Sequence, residues 1–381
     1  MKKSFIILSI TASVIMACNK KETNINTVSQ GLIYQHLSNL GENNHFPFQI
    51  ISNENLPKLT NAGEVYVLSN TFVNNEAYFY EMSKHRVQKV NLSNGQVTGS
   101  ISYTNLPENT DFKFTYLDDD FNVWYMDTLL YVFNSSGQYL KTIHLPLHHQ
   151  GKDYIINTND KTSLQYFKNN ATLIIPLNCI SEYEASEAHL IPQFASYNLN
   201  SGEIAYLAVY MPENYPADTY LGELSSPYTA VDGDVFYAIF PLSNKLYAYN
   251  ISLNNLQVIP LQFPVALSNP AMLNEPQSIQ QMAEIKYFSN HIAGLAVADG
   301  KIFIQQTDTW DNHLSSKKYA DNTILYSFSD QGQLTWQGAF PQNVFDDIGV
   351  FTLHSAQNGK LFFTSFNQNN DKKLIQILAQ L

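Results

Sequence analysis

Cysteine is nearly absent from this chain: Cys18 and Cys179 are the only two in 381 residues. Two thiols cannot staple a small disulfide scaffold, and they cannot supply a cysteine-rich zinc site. Cations are scarce as well, 21 Lys and Arg against 33 Asp and Glu, which leaves a formal charge of −12. An acidic chain without a basic stripe suits neither nucleic acid nor an anionic lipid surface. The one long apolar run, Phe5 to Met16, is too short to span a bilayer. No glycine-rich phosphate loop, nucleophile motif or spaced set of metal ligands occurs, so no metal and no cofactor is expected.

What the chain does have is apolar and aromatic residues, 44 % and 13 %, enough for a large core and too evenly mixed for disorder. Its length allows two domains or one large all-β domain. The start, with Lys2 and Lys3 ahead of the apolar run, reads as a secretory signal. That run ends in Ile15-Met16-Ala17-Cys18, which resembles the lipobox of bacterial lipoproteins. The resemblance implies cleavage before Cys18 and diacylglycerol on its thiol, making Cys18 a membrane anchor. Asn19, where retention signals carry Asp, implies outer-membrane sorting, with the periplasmic face and the cell surface both open. Cleavage removes two lysines and no acid, so the mature charge becomes −14, 19 cations against 33 acids. Cys179 is then the only thiol and reads as a small buried apolar residue. Residues 18–44, rich in Asn, Thr, Ser and Lys, read as a tether, with a short ordered piece around 31–40.

From residue 45 onward the chain repeats. Stretches 87–103, 131–145, 194–210, 246–263 and 325–340 each alternate apolar and polar residues on both sides of an Asn/Ser/Gly turn, the pattern of a hairpin. A shorter, strongly apolar strand precedes each one, at 76–82, 122–127, 171–177, 234–240 and 301–306, and a sixth lies at 360–366. Before each of these, across turns such as Asp232-Gly233, Asp299-Gly300 and Asn358-Gly359, lies another strand. The unit is four strands, A to D. Prolines mark the end of D at Pro107, Pro146, Pro212, Pro264 and Pro341.

Six A-B-C sets but five D strands occur, because the chain ends soon after its last C strand. Residues 46–52 supply the missing strand at the other end, followed by the same apolar-proline marker at Leu56-Pro57. The expected fold is an all-β, six-bladed β-propeller of four-stranded antiparallel blades over 45–381, closed by that N-terminal strand. Seven blades is the alternative if 19–44 holds further strands. With its lipobox, the chain resembles six-bladed propeller lipoproteins of the Bacteroidota in the broad NHL/TolB-like group. That resemblance covers 45–381 and brings no catalytic residue with it.

The A–B and C–D turns are short, whereas connections at 146–160, 178–192, 211–226, 264–290 and 307–322 are long. All the long ones are B–C or D–A links, which share one face of a propeller, so that face is the expected binding surface. Loop 307–319 offers Trp310 with Asp308, Asp311 and His313, suited to stacking on a sugar or holding a cation. Loop 178–192 offers Glu182, Glu184, Glu187 and His189 on a short helix, and loop 214–224 offers Tyr215 and Tyr220 as contacts or as packing. His148 and His149 open the connection after Pro146, while His144 lies within strand D; their spacing fits no zinc motif. Asp118, Asp119 and Asp120 read as a turn, and 277–285 reads as a helical cap. These readings favour a non-enzymatic envelope lipoprotein that binds a glycan, peptide or protein partner. The alternatives are a polysaccharide hydrolase or lyase using loop carboxylates and histidine, and a structural member of an outer-membrane assembly.

Overall fold

A computed structural model describes residues 121–158, 162–215, 221–269, 289–309 and 321–339 without a break. Shorter described pieces lie at 33–36, 45–51, 66–73, 76–81, 86–91, 96–104, 106, 113–116, 350–357, 359–366 and 372–378. Cys18, Asp118–Asp120 and the expected helix at 277–285 fall outside them.

Twenty-seven strands and three short 3-10 helices make up the described structure. β1 (Ile33–His36) and β2 (His45–Ile51) come first. The first sheet is β3 (Tyr66–Val73), β4 (Glu76–Glu81), β5 (Arg86–Asn91) and β6 (Val97–Ser102). The second is β7 (Lys113–Tyr116), β8 (Phe121–Met126), β9 (Leu129–Asn134) and β10 (Tyr139–His144). The third holds β11 (His148–His149), β12 (Lys152–Ile156), β13 (Gln165–Phe167), β14 (Thr172–Cys179), β15 (Phe194–Asn198) and β16 (Ile204–Tyr206). The fourth is β17 (Tyr228–Asp232), β18 (Val235–Ile239), β19 (Lys245–Asn250) and β20 (Asn255–Pro260). The fifth is β21 (His291–Ala298), β22 (Lys301–Thr309), β23 (Asp321–Ser329) and β24 (Leu334–Ala339). The last holds β25 (Val350–Gln357), β26 (Lys360–Phe366) and β27 (Lys372–Leu378), with β2 beside β27 and β1 beside β2.

The expected closure is therefore present: Ile51 pairs with Leu374 and Phe48 with Ile377. β1 adds a fifth strand inside the stretch read as tether. The inner strands meet their neighbours around the ring, β3 against β7, β17 against β21, β21 against β25, and β25 against β3. Sheets that follow one another in sequence and meet again end to start form a β-propeller.

Period-2 alternation explains why the B strands are so apolar. In β18, Phe236 and Ala238 enter a core shared with the third sheet, and Tyr237 and Ile239 one shared with the fifth. In β8, Trp124 turns to the first sheet, while Val123 and Tyr125 turn to the third. A strand sandwiched between two sheets has no solvent face to fill with polar residues. Each fully buried side chain of this kind contributes about 1.5–3 kcal/mol. Around Tyr103 the rings of Phe133 and Trp124 stand edge-on at 5.1 and 5.3 Å, a geometry that adds about 0.5–1.5 kcal/mol per pair. The outer strands β6, β10 and β20 are mostly exposed.

Neighbouring sheets also touch at their turns. Gly137, between β9 and β10, has φ +83°, and a Cβ there would overlap the Ser102 carbonyl oxygen of the preceding sheet. Gly332, at the same place in the fifth sheet, has φ +77° and would put a Cβ 2.7 Å from the Pro260 oxygen. Both the backbone angle and the close approach require glycine.

Three expectations change. The hairpin β22–β23 is longer than read, since its ladder runs on to Thr309↔Asp321, leaving the connection at 310–320. Thr307, β-branched and buried, sits comfortably in a ladder. The stretch 146–160 carries β11 and β12. The proline marker is also not one structural position. Leu145 and Leu261 each donate their N–H to the preceding B–C turn, to Thr128 and Asn244 at 2.8 Å. Proline follows Leu145 directly but comes three residues after Leu261.

Candidate functional site

The third sheet departs most from the four-strand plan. Its long strand β14 pairs with β15 only over Thr172–Pro176. On its other side the inner position is shared by two strands. β13 pairs with Thr172–Ile174 and β12 with Leu177–Cys179. Past β12, Asn157 N–H still donates to the Pro176 carbonyl at 2.8 Å; the chain then leaves β14 and returns at Thr162, Ser163 and Leu164, which are buried.

The two-residue turn Gln150-Gly151, with φ of 50° and 76°, joins β11 to β12 as a tight hairpin. Its register puts His148 opposite Asp153 and His149 opposite Lys152. Directly opposed side chains share a face. On one face the His148 imidazole lies 2.7 Å from the Asp153 carboxylate, both well exposed. On the other, His149 stacks on Tyr206 at 4.2 Å and 18°, and Lys152 reaches Glu187 Oε2 at 3.0 Å. The Lys152 ammonium also lies 5.7 Å from the centre of the Tyr183 ring.

Glu187 and Tyr183 belong to the insertion between β14 and β15. Its start is fastened to the hairpin, because Ile180 N–H donates to the Asp153 carbonyl at 3.0 Å and Asp153 N–H donates to Ser181 Oγ at 2.8 Å. A 3-10 helix, Ala185–Leu190, follows behind a capping box in which Glu184 N–H donates to Glu187 Oε2 at 3.1 Å. The hydrogen bond from Lys152, then that from Glu184, hold the Glu187 carboxyl below the ordinary glutamate range. Under the rim, Tyr154 is buried and its ring lies 5.6 Å from Tyr206. Burial, then Cys179, Tyr206 and Tyr210, push the Tyr154 hydroxyl up to about 12. Burial also raises Tyr183 and the half-buried Cys179 thiol, whose Sγ donates to the Ser181 carbonyl at 3.7 Å. Among the described residues the buried Tyr206 hydroxyl has no hydrogen-bond partner.

This rim presents aromatic faces, ion pairs and exposed apolar side chains, which is recognition chemistry. Among the described residues no three His, Cys, Asp or Glu side chains converge for a metal ion. No helix of the described residues is long and apolar enough to cross a membrane.

The residues singled out in the sequence fare unevenly. His148 and His149 stand in the rim, and the 178–192 segment joins them through Lys152–Glu187. Glu184 serves as helix N-cap, and His189 Nδ1 sits 3.3 Å from the Met211 carbonyl, so these two face different partners. Tyr215 is a correction. It is 2 % exposed, its hydroxyl accepts Leu242 N–H at 2.7 Å, and it packs near Phe240, so it anchors its loop instead of meeting a ligand. Burial pushes its hydroxyl well above the usual tyrosine value, against the smaller lowering effect of the Leu242 N–H bond. Asp308 pairs with Asn322 in the β22–β23 ladder. Trp310, Asp311, His313 and Tyr220 lie outside the described residues. Sequence reading missed Lys152, Asp153, Tyr154, Tyr183 and Tyr206. The Gln150-Gly151 turn signal would have found the first two, as the residues that face the histidines.

No protein-family model matches the chain, and no curated protein matches it. Solved structures do resemble it. A member of the DUF4221 family from Bacteroides vulgatus ATCC 8482 superimposes with a TM-score of 0.57 at 11 % identity, over 87 % of this chain and 97 % of that one. A protein of Bacteroides fragilis NCTC 9343 described as exported gives 0.51 at 11 % identity, over 88 % and 95 %. At such identity the likeness is one of fold.

Proposed function

We propose that the chain is an envelope lipoprotein anchored through Cys18 to the outer membrane, whose six-bladed propeller binds a ligand without transforming it. The ligand, a glycan, a peptide or a protein, meets the face carrying the B–C and D–A connections. One observation carries this reading: every elaboration in the third sheet, the hairpin, the helical insertion and the aromatic stack, is built on that face. The domain division follows from the same reading, with a signal over 1–17, the lipidated cysteine and tether over 18–44, and the propeller beyond. Likeness in fold to a Bacteroides protein described as exported supports an envelope location.

Two experiments test it. Cys18→Ser is expected to move the protein from the membrane fraction to the soluble envelope fraction; unchanged retention overturns the anchor. A screen against glycan arrays and purified envelope proteins is expected to find a ligand. Its capture should fall in His149→Ala/Lys152→Ala or in Trp310→Ala. Capture indifferent to all these changes, or no capture, overturns the binding role.

A further inference from the structure

The proposed binding role says nothing of which ligand class the third-sheet rim takes; the following rests on that role and narrows it. Three large apolar side chains of the insertion stand in solvent: Ile180, Tyr183 and Leu190 are 57 %, 44 % and 66 % exposed. Single exposed apolar residues are ordinary, but three on an eleven-residue segment, rimmed by charge, mark an interaction surface. The segment 178–192 also carries Glu182, Glu184 and Glu187 and no Lys or Arg. Glu182 and Glu184 are exposed.

The cation that does stand here shows what the surface holds. Lys152 comes from the neighbouring hairpin, and its ammonium sits between the Glu187 carboxylate at 3.0 Å and the Tyr183 ring at 5.7 Å. A carboxylate with an aromatic face is a seat for an ammonium or guanidinium group. Lys152 pairs with Glu187, and Glu184 also accepts the Glu187 N–H in the capping box but keeps its charge, so the surface stays acidic beside its apolar side chains. We infer that this surface docks a peptide segment of a protein partner in which apolar residues alternate with Lys or Arg. Ile180 and Leu190 take the apolar side chains, and Glu182 and Glu184 meet the cations. An anionic membrane surface is repelled by the same charges.

Fluorescence anisotropy with the processed full chain tests this, using three labelled fourteen-residue probes: Leu alternating with Lys, Ser with Lys, and Leu with Glu. The Leu–Lys probe is expected to bind. Ile180→Ser/Leu190→Ser and, separately, Glu182→Gln/Glu184→Gln are expected to weaken it by about tenfold or more, with melting temperature unchanged in the first and little changed in the second, where the amide oxygen can still cap the helix. Added salt should weaken the wild-type complex as well. Equal binding to either double variant, or equal binding of the Ser–Lys or Leu–Glu probe, overturns the inference. Failure of the Leu–Lys probe, where the screen above yields a glycan captured through Lys152 and His149, overturns the inference alone. No captured ligand of any kind overturns the binding role beneath it.

Discussion

The third and fourth sheets are neighbours built on one plan, and they spend their residues differently. In the fourth, β17 to β20 pair edge to edge, and β18 is buried on both sides. The third keeps that arrangement up to Leu177, which is buried and donates its N–H to the Gln193 carbonyl at 2.8 Å. From Asn178 onward the same strand, β14, is half-buried, pairs with β12 and leads into the insertion. One strand thus does two jobs in sequence, core first and surface second. Packing takes six residues of the strand, Thr172–Leu177, and the two beyond them stand at the rim.

That contrast predicts how damage should distribute. The largest effect lies in neither sheet but in the closure both depend on. Deleting 45–51, which removes β2, is expected to lower Tm by on the order of 10 °C, read by calorimetry. An unchanged transition would mean that the ring does not need the strand. Next comes the fourth-sheet core. Leu246→Ala, at a position with no exposure, is expected to cost about 2–5 kcal/mol in chemical denaturation. His149→Ala in the rim should cost no more than about 1 kcal/mol, since an exposed-rim contact has little to lose. Equal costs would break the distinction between core and surface. Tyr215→Phe is expected to fall between, at about 1–3 kcal/mol, because Leu242 N–H would lose its buried acceptor.

The smallest effect is electrostatic. The Glu187 carboxyl titrates below the ordinary glutamate value because Lys152 donates to it. A depressed carboxyl pKa contributes stability above the unfolded-state value, and the contribution is lost as pH falls through the folded one. Lys152→Met should raise the Glu187 titration toward the ordinary glutamate value, with the Glu184 N–H still holding it partly down, measured by carboxyl carbon NMR. A titration that does not move would show the Lys152 contact to be incidental.

The sequence carried the fold far better than the site. Alternation on both sides of Asn/Ser/Gly turns is local, so the hairpins were legible from a dozen residues at a time. Closure was legible too, as a missing D strand at one end and a spare strand at the other. The rim was not, because it joins residues that no short window contains: Lys152 meets Glu187 across 35 positions, and His149 meets Tyr206 across 57. Tyr215 stayed open between contact and packing for a different reason. An aromatic between Asn214 and Pro216 looks the same in sequence whether its ring turns into a core or out to a ligand. Burial is decided by the partner, here Leu242 and Phe240 of the next sheet.

The pairing of β2 with β27 has a consequence for when the ring can close. Ile51 and Leu374 lie more than 300 positions apart, so bringing them together costs about 5 kcal/mol in loop-closure entropy before any ladder bond repays it. Such contacts form late. During synthesis β2 emerges among the first strands and must wait for the last. The ring therefore cannot lock while the C-terminal strand is still being made. Pulse-labelled hydrogen exchange during refolding should show β2 amides gaining protection after those of β18 and β19.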